Sequence, residues 1–235
     1  MSASPERDRG AADLHRSDSW LTNVVLGGQD GLVNVLGMVL GVVAATGNAR
    51  LVLVAGLAAG VSGSVSMAGV AYTSTRAAAD LFRTERDREY RHVEAAPQRE
   101  REEVREIYSK KGYTGDVLDR IVQTVTSDKD VWVAIMMNEE HRLVDVDVAT
   151  SLRSAAVVGA SSLAGSLLPL VPILVLPIRI AGWGAVVGAA ATLFALGAYK
   201  AKVTTGRWWR SGAELALIGT LSAAFGYTVG RVLGV

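Results

Sequence analysis

The sequence predicts an all-α membrane protein of five transmembrane helices, with a water-exposed helical domain inserted between the second and third. Three observations lead there. Residues 31–49, 51–75, 154–178, 180–199 and 215–230 carry no charged side chain, and a helix crossing the hydrocarbon core needs about 20 mostly apolar residues. Second, 31 of the 47 charged residues fall between Arg76 and Arg153, so that segment is solvated. Third, glycine is frequent in every apolar stretch, and Pro169, Pro172 and Pro177 punctuate the third, a pattern tolerated in membrane helices and poor in soluble ones. The alternative is a soluble all-helical core.

Taken in order, residues 1–18 are polar, carry Arg7, Arg9 and Arg16, and lack the apolar core of a signal peptide. They read as a flexible cytoplasmic tail. Residues 19–75 hold the first two spans. The inserted domain occupies 76–149, where Pro97 and the turn from Lys111 to Asp116 mark out about three helical stretches: 76–95, 98–110 and 116–145, with a break near Asp128. Residues 150–235 hold spans three to five. Lys200, Lys202, Arg207 and Arg210 precede the last span, against Arg50, Arg179 and Arg231 in the opposite connections. The positive-inside rule then makes the N-terminus and the inserted domain cytoplasmic, with Trp208 and Trp209 at the interface.

Composition excludes several functions. With 24 basic and 23 acidic residues, the net charge of +1 supplies no field to hold nucleic acid. There is no cysteine, hence no disulfide, thiolate site or thiol redox chemistry. No G-x-x-x-x-G-K-[ST] phosphate loop is present, which argues against ATP-driven work.

Asp30 is the only charged residue between Ser19 and Ala49, about 18 Å along a helix from Asp18 at 1.5 Å per residue. An ionised carboxylate near the midplane costs about 2.5–3.5 kcal/mol, so such residues usually face a cavity or a partner. Two readings are open: an ion or proton path, or an Asp bonded to backbone among Gly27, Gly28 and Gly31. Asn34 and Met38 continue the same helical face. Met67 lies in the second span among Ser62, Ser64, Ser66, Thr73 and Ser74. Beside a carboxylate, a thioether suits a borderline-soft divalent ion such as ferrous iron. Gly37-x-x-x-Gly41 and Gly56-x-x-x-Gly60 permit close helix approach.

In the inserted domain, Glu89 and His92 stand three apart on one helical face, and Glu100 and Glu103 repeat the spacing after Pro97. Such pairs on facing helices are how bundles hold iron or manganese. Met136, Met137 and Glu140 are near enough in sequence to complete a cluster. A solvated face with intrahelical ion pairs is the competing reading.

Several motifs in order resemble the vacuolar iron transporter family over nearly the whole chain after the tail. They are Asp30-Gly31-Leu32, Ser66-Met67-Ala68 with Tyr72, Pro169-Leu170-Val171-Pro172, Gly197-Ala198-Tyr199-Lys200, and Ala223-Ala224 with Tyr227 and Gly230. The resemblance implies a homodimer that exports Fe(II) from the cytoplasm in exchange for protons, with the ion path between the subunits; the expected location is the cell's inner membrane. Mn(II), Zn(II) and Co(II) are further candidate cargo, and no prosthetic group is expected. It implies that Asp30 and Met67 line the membrane site. It places metal-binding carboxylates on Glu89, Glu100, Glu103 and Glu140 and paired methionines on Met136 and Met137. His92 replaces one family Glu, a change expected to retune selectivity. Ala59 stands where the family often has a Glu, eight residues before Met67, leaving Asp30 as the carboxylate within the first two spans. The expected function is that of a secondary-active transporter rather than an enzyme. A membrane-anchored di-iron oxidase and a metal sensor using the same cluster are the rivals.

Overall fold

The computed structural model describes residues 5–146, 148–204 and 206–234, and these contain helices and no strand. Five helical segments are long and apolar enough to cross a membrane: Trp20–Thr46, Ala49–Ala95, Ala149–Val175, Ile178–Lys202 and Trp208–Leu233. The chain divides into two compact units, one of residues 1–72 with 152–235 and one of residues 73–151.

The first unit contains α1 (Pro5–Thr46), the first half of α2 (Ala49–Ala95), most of α6 (Val148–Leu167), α7 (Val171–Val175), α8 (Ile178–Thr204) and α9 (Trp208–Leu233). Helix α1 begins well before its apolar run. Pro5 at the first helical position and the helix formers Glu6, Arg7, Ala11, Ala12 and Leu14 make residues 5–18, read from sequence as a tail, helical. Pro169 and Pro172 lack the N–H that would continue α6. The backbone tightens into a 3₁₀ turn at Leu168–Leu170 before α7 resumes. Leu176 is extended ahead of Pro177, and α8 follows.

Leu32, Val35, Leu36 and Val39 of α1 form a buried stripe at i, i+3, i+4 and i+7, against Ala181, Ala185, Ala189 and Leu193 of α8. The outside is equally apolar: Val65, Trp183, Phe225 and Val232 are all about 70% exposed or more. A surface so rich in large apolar side chains is suited to lipid rather than water. In lipid, burial gives no hydrophobic gain, so helices are held by close packing of small residues. Gly37 and Gly41 of α1 meet Gly226 and Gly230 of α9. A Cβ added at Gly226 would overlap the carbonyl oxygen of Gly37, and one at Gly230 that of Gly41. Gly226→Ala is expected to destabilise the protein by about 1–3 kcal/mol, the usual cost of overpacking. Gly188→Ala, where nothing lies within 4 Å, should stabilise it by up to about 1 kcal/mol through helix propensity. Tryptophan-fluorescence melting in detergent checks the opposite signs.

The second unit contains the rest of α2, α3 (Pro97–Lys110), α4 (Gly115–Val125) and α5 (Lys129–Glu139). The stretch expected over 116–145 is two helices, parted at the break near Asp128, and the second stops earlier, at Glu139. Asp128 is extended and its side chain accepts from the N–H groups of Asp130 and Val131, which caps a new helix. At the other end Arg142 adopts the left-handed region, φ 54°, and the helix cannot continue. Leu118, Val122 and Val125 of α4 pack with Phe82, Val93, Val104, Trp132 and Val133. Each such side chain contributes about 1.5–3 kcal/mol in water. Arg105 pairs with Asp119 at 2.7 Å, Lys111 with Glu139 at 2.5 Å, and Lys129 with Glu94, tying the helices at their rims.

Candidate metal centres

In the first unit, α1 and α2 run antiparallel across the short connection at Gly47 and Asn48. Their register follows from two contacts. The Asn34 Nδ2 lies 3.7 Å from where a Cβ on Gly63 would stand, and Val35 lies 3.8 Å from that of Gly60. One turn from the Asn34 and Gly63 level, Asp30 on α1 and Met67 on α2 therefore share a level. One turn the other way, Met38 faces the level of Ala59. Both Asp30 and Met67 are half-buried, and Asn34 is exposed. At this depth α1 presses against α6, because a Cβ on Gly31 would overlap the carbonyl oxygen of Ser162. A bulkier residue beside Asp30 would push the helices apart. Ala59, at the level of Met38, offers no ligand.

The second unit places a larger cluster. Helix α2 ends with the Ala96 N–H donating to the His92 carbonyl at 2.8 Å, and Pro97 opens α3. The chain reverses, and the three-residue spacing on each side brings Glu89 and His92 of α2 to Glu100 and Glu103 of α3. The end of α5 completes the group with Glu140 and His141. Together these residues, with Arg88, Ala95, Ala96 and Arg99, line a cavity of about 390 Å³.

Two triads have donor atoms within 4.8 Å of one another: Glu89, His92 and Glu100, and Glu89, Glu140 and His141. The His92 Nδ1 lies 3.6 Å from Glu89 Oε1 and 3.7 Å from Glu100 Oε1, and the His141 Nε2 lies 3.1 Å from Glu89 Oε1. Donors arranged tetrahedrally at about 2.1 Å from an ion stand roughly 3.4 Å apart. The spacing is compatible with a coordination shell. Glu89 and Glu100 are each 3% exposed. Among the described residues, nothing hydrogen-bonds the Oε2 of either carboxylate. An unmet buried acceptor is costly, more so when charged, and a divalent ion would satisfy both.

Like charges add to the cost. Burial, then Glu103, Glu89 and Glu140, push the Glu100 carboxyl up to about 7, with Arg99 opposing. Glu140 is also raised, first by burial and then by Glu103, while His141 works against the shift. Arg99 is spent on Glu103, 3.2 Å from its Oε1. The donor set of carboxylate oxygen and imidazole nitrogen fits borderline divalent ions such as Fe(II) and Zn(II).

The structure thus brings Glu89, His92, Glu100, Glu103 and Glu140 around one cavity. Met136 and Met137 are not among the residues lining that cavity; both are fully buried in the apolar core with Trp132, Val133 and Val104. His141 was not among the expected ligands, and the adjacent Glu140 was the only signal for it.

Comparison with known proteins bears on the whole chain. The family model described as the VIT family matches residues 21–231. The chain is 29% identical to vacuolar iron transporter 2 of Oryza sativa subsp. japonica, covering 90% of this chain and 86% of that protein. It is 28% identical to vacuolar iron transporter 1 of Arabidopsis thaliana, over 90% of this chain and 85% of the relative. The vacuolar iron transporter of Toxoplasma gondii is 30% identical over 92% of this chain and 75% of its own length. Five membrane-length helices and a match running from the first of them almost to the end of the last leave one assignment: the chain belongs to the VIT family.

Proposed function

We propose that this protein is a secondary-active transporter that exports Fe(II) from the cytoplasm in exchange for protons, with Mn(II), Zn(II) and Co(II) as further cargo. The observation that carries the reading is the pair of buried carboxylate oxygens, on Glu89 and Glu100, left without a hydrogen-bond partner beside two imidazoles. In a chain with five membrane-length helices, such a cluster is an ion-capture site. The names borne by the relatives supply the ion.

The excess of Lys and Arg at 200–210 over the opposite connections supports a cytoplasmic position for the cluster, in a protein of the cell's inner membrane. Metal collected there passes to Asp30 and Met67, which share a level of α1 and α2. Deprotonated Asp30 binds the ion, and protonation from the outer side releases it. Asn34, Ser62 and Ser66 are exposed on otherwise apolar helices. That supports a polar path completed by the same face of a second copy, a homodimer embedded in lipid. With Ala59 in place of an acid, Asp30 serves metal and proton in turn.

Reconstituted in liposomes with a trapped Fe(II) indicator, the protein should show metal entry that an imposed pH gradient accelerates. Flux indifferent to the gradient would remove the proton exchange, and no flux for any divalent ion would remove the transporter.

The raised Glu100 carboxyl gives capture its own pH dependence. A group at about 7 holds its proton below that pH, and metal must displace it. Zn(II) affinity of the purified chain should therefore fall from pH 8 to pH 6, approaching about tenfold per pH unit for each proton displaced. Equilibrium dialysis checks this, and an affinity flat over that range would contradict it.

A further inference from the structure

We infer that His141 is a metal ligand, forming with Glu89 and Glu140 a second cation position beside that of Glu89, His92 and Glu100, and that the two imidazoles set the cluster's preference among divalent ions. The inference rests on the capture reading above and goes beyond it in residue and in selectivity.

The placement of His141 follows from how α5 ends. The N–H groups of both Glu140 and His141 donate to the Met136 carbonyl, at 3.0 and 3.3 Å, and the Leu143 N–H donates to that of Met137 at 3.0 Å. Arg142 takes the left-handed conformation between them. This closing turn swings the imidazole back over α2, where its Nε2 reaches Glu89 Oε1 at 3.1 Å.

A structural hydrogen bond alone does not account for the arrangement. It would use one oxygen of Glu89 and leave the Oε2 atoms of Glu89 and Glu100 buried and unmet. A cation at each triad would give these buried carboxylates a partner. Glu89 is common to both triads, and a carboxylate with two oxygens can bridge ions about 3.5–4 Å apart, as in two-metal sites. The cavity of about 390 Å³ has room for both.

The consequence is selectivity. Each position pairs one imidazole nitrogen with carboxylate oxygens. Such mixed sets suit Zn(II), Co(II) and Fe(II), whereas an all-oxygen set suits Mn(II) and the harder ions. The cluster should thus bind Mn(II), among the proposed cargo, less tightly than Zn(II), Co(II) or Fe(II).

The test uses the full chain in detergent micelles, with bound Zn(II) counted by dialysis, Co(II) coordination followed by visible absorption, and Mn(II) as competitor. Ions lost in Glu89→Gln define those held by the cluster. Wild type should hold two of these, one per triad. His141→Ala should hold one fewer and give a weaker, shifted Co(II) band. His141→Glu should restore the count but lower the Zn(II) over Mn(II) preference by more than about tenfold, a span that even outer-shell partners of ligands reach. An unchanged ion count and Co(II) band in His141→Ala would overturn the inference and leave capture standing. Equal ion counts in Glu89→Gln and wild type would instead overturn capture itself, and the inference with it.

Discussion

Asp30→Asn is expected to bring gradient-driven Fe(II) flux down to the level of protein-free liposomes. The substitution keeps shape and packing, so Gly31 still seats α1 against Ser162, and only charge and proton chemistry are lost. A carboxylate near the bilayer midplane costs about 2.5–3.5 kcal/mol, so its neutral isostere should melt no lower than wild type. Asp30 shares a level with Met67, and Ala59, on the other side of the Asn34 level, supplies no second acid. No neighbouring carboxylate in the first two spans is left to take over the metal or the proton. Losing a charged ligand exceeds the roughly 10–100-fold effect of losing its outer-shell support. Zn(II) binding by the second unit should be unchanged, since the candidate donors lie between Glu89 and His141. Wild-type flux in a folded Asp30→Asn protein would remove Asp30 from the path and favour a sensor, in which the spans only anchor the cluster.

Parts of this architecture were legible in the residues because one physical rule applied at every position. Charge is expelled from hydrocarbon, so five uncharged stretches foretold five spans. The three-residue spacing of Glu89 with His92 and of Glu100 with Glu103 foretold a shared face, since helical neighbours recur at that interval. What escaped lay where helical periodicity stops. His141 sits beyond the end of α5, and its direction depends on Arg142 at φ 54°, a conformation that a non-glycine residue does not announce. The division of the expected third stretch turned on Asp128 acting as a cap, which spacing marked only as a break. Met136 and Met137 show the ambiguity of thioethers. Their softness suits a metal, but their flexibility suits a core, and here they fill the space around Trp132. Tertiary packing decides between those uses, and it is not written in a two-residue motif.

Glu89→Gln should separate capture from passage more sharply than any other change in the second unit. Glu89 belongs to both triads, so one neutral isostere weakens both positions at once. The fold should tolerate it. The amide offers donors to the unmet Glu100 Oε2, and removal of a negative neighbour lets the Glu100 carboxyl fall back toward the ordinary range. The lost charge is felt in binding, and loss of a shared ligand should weaken Zn(II) affinity by more than about tenfold. In liposomes this should raise the half-saturating Fe(II) concentration by a similar factor while leaving the maximal rate near wild type, because Asp30 and Met67 are untouched. A fall in maximal rate at unchanged half-saturation would instead make the cluster an obligatory station on the route. No change in either binding or flux would reduce Glu89, His92, Glu100 and His141 to a set of ion pairs on a solvated helix face, and the buried, unpartnered oxygens argue against that outcome.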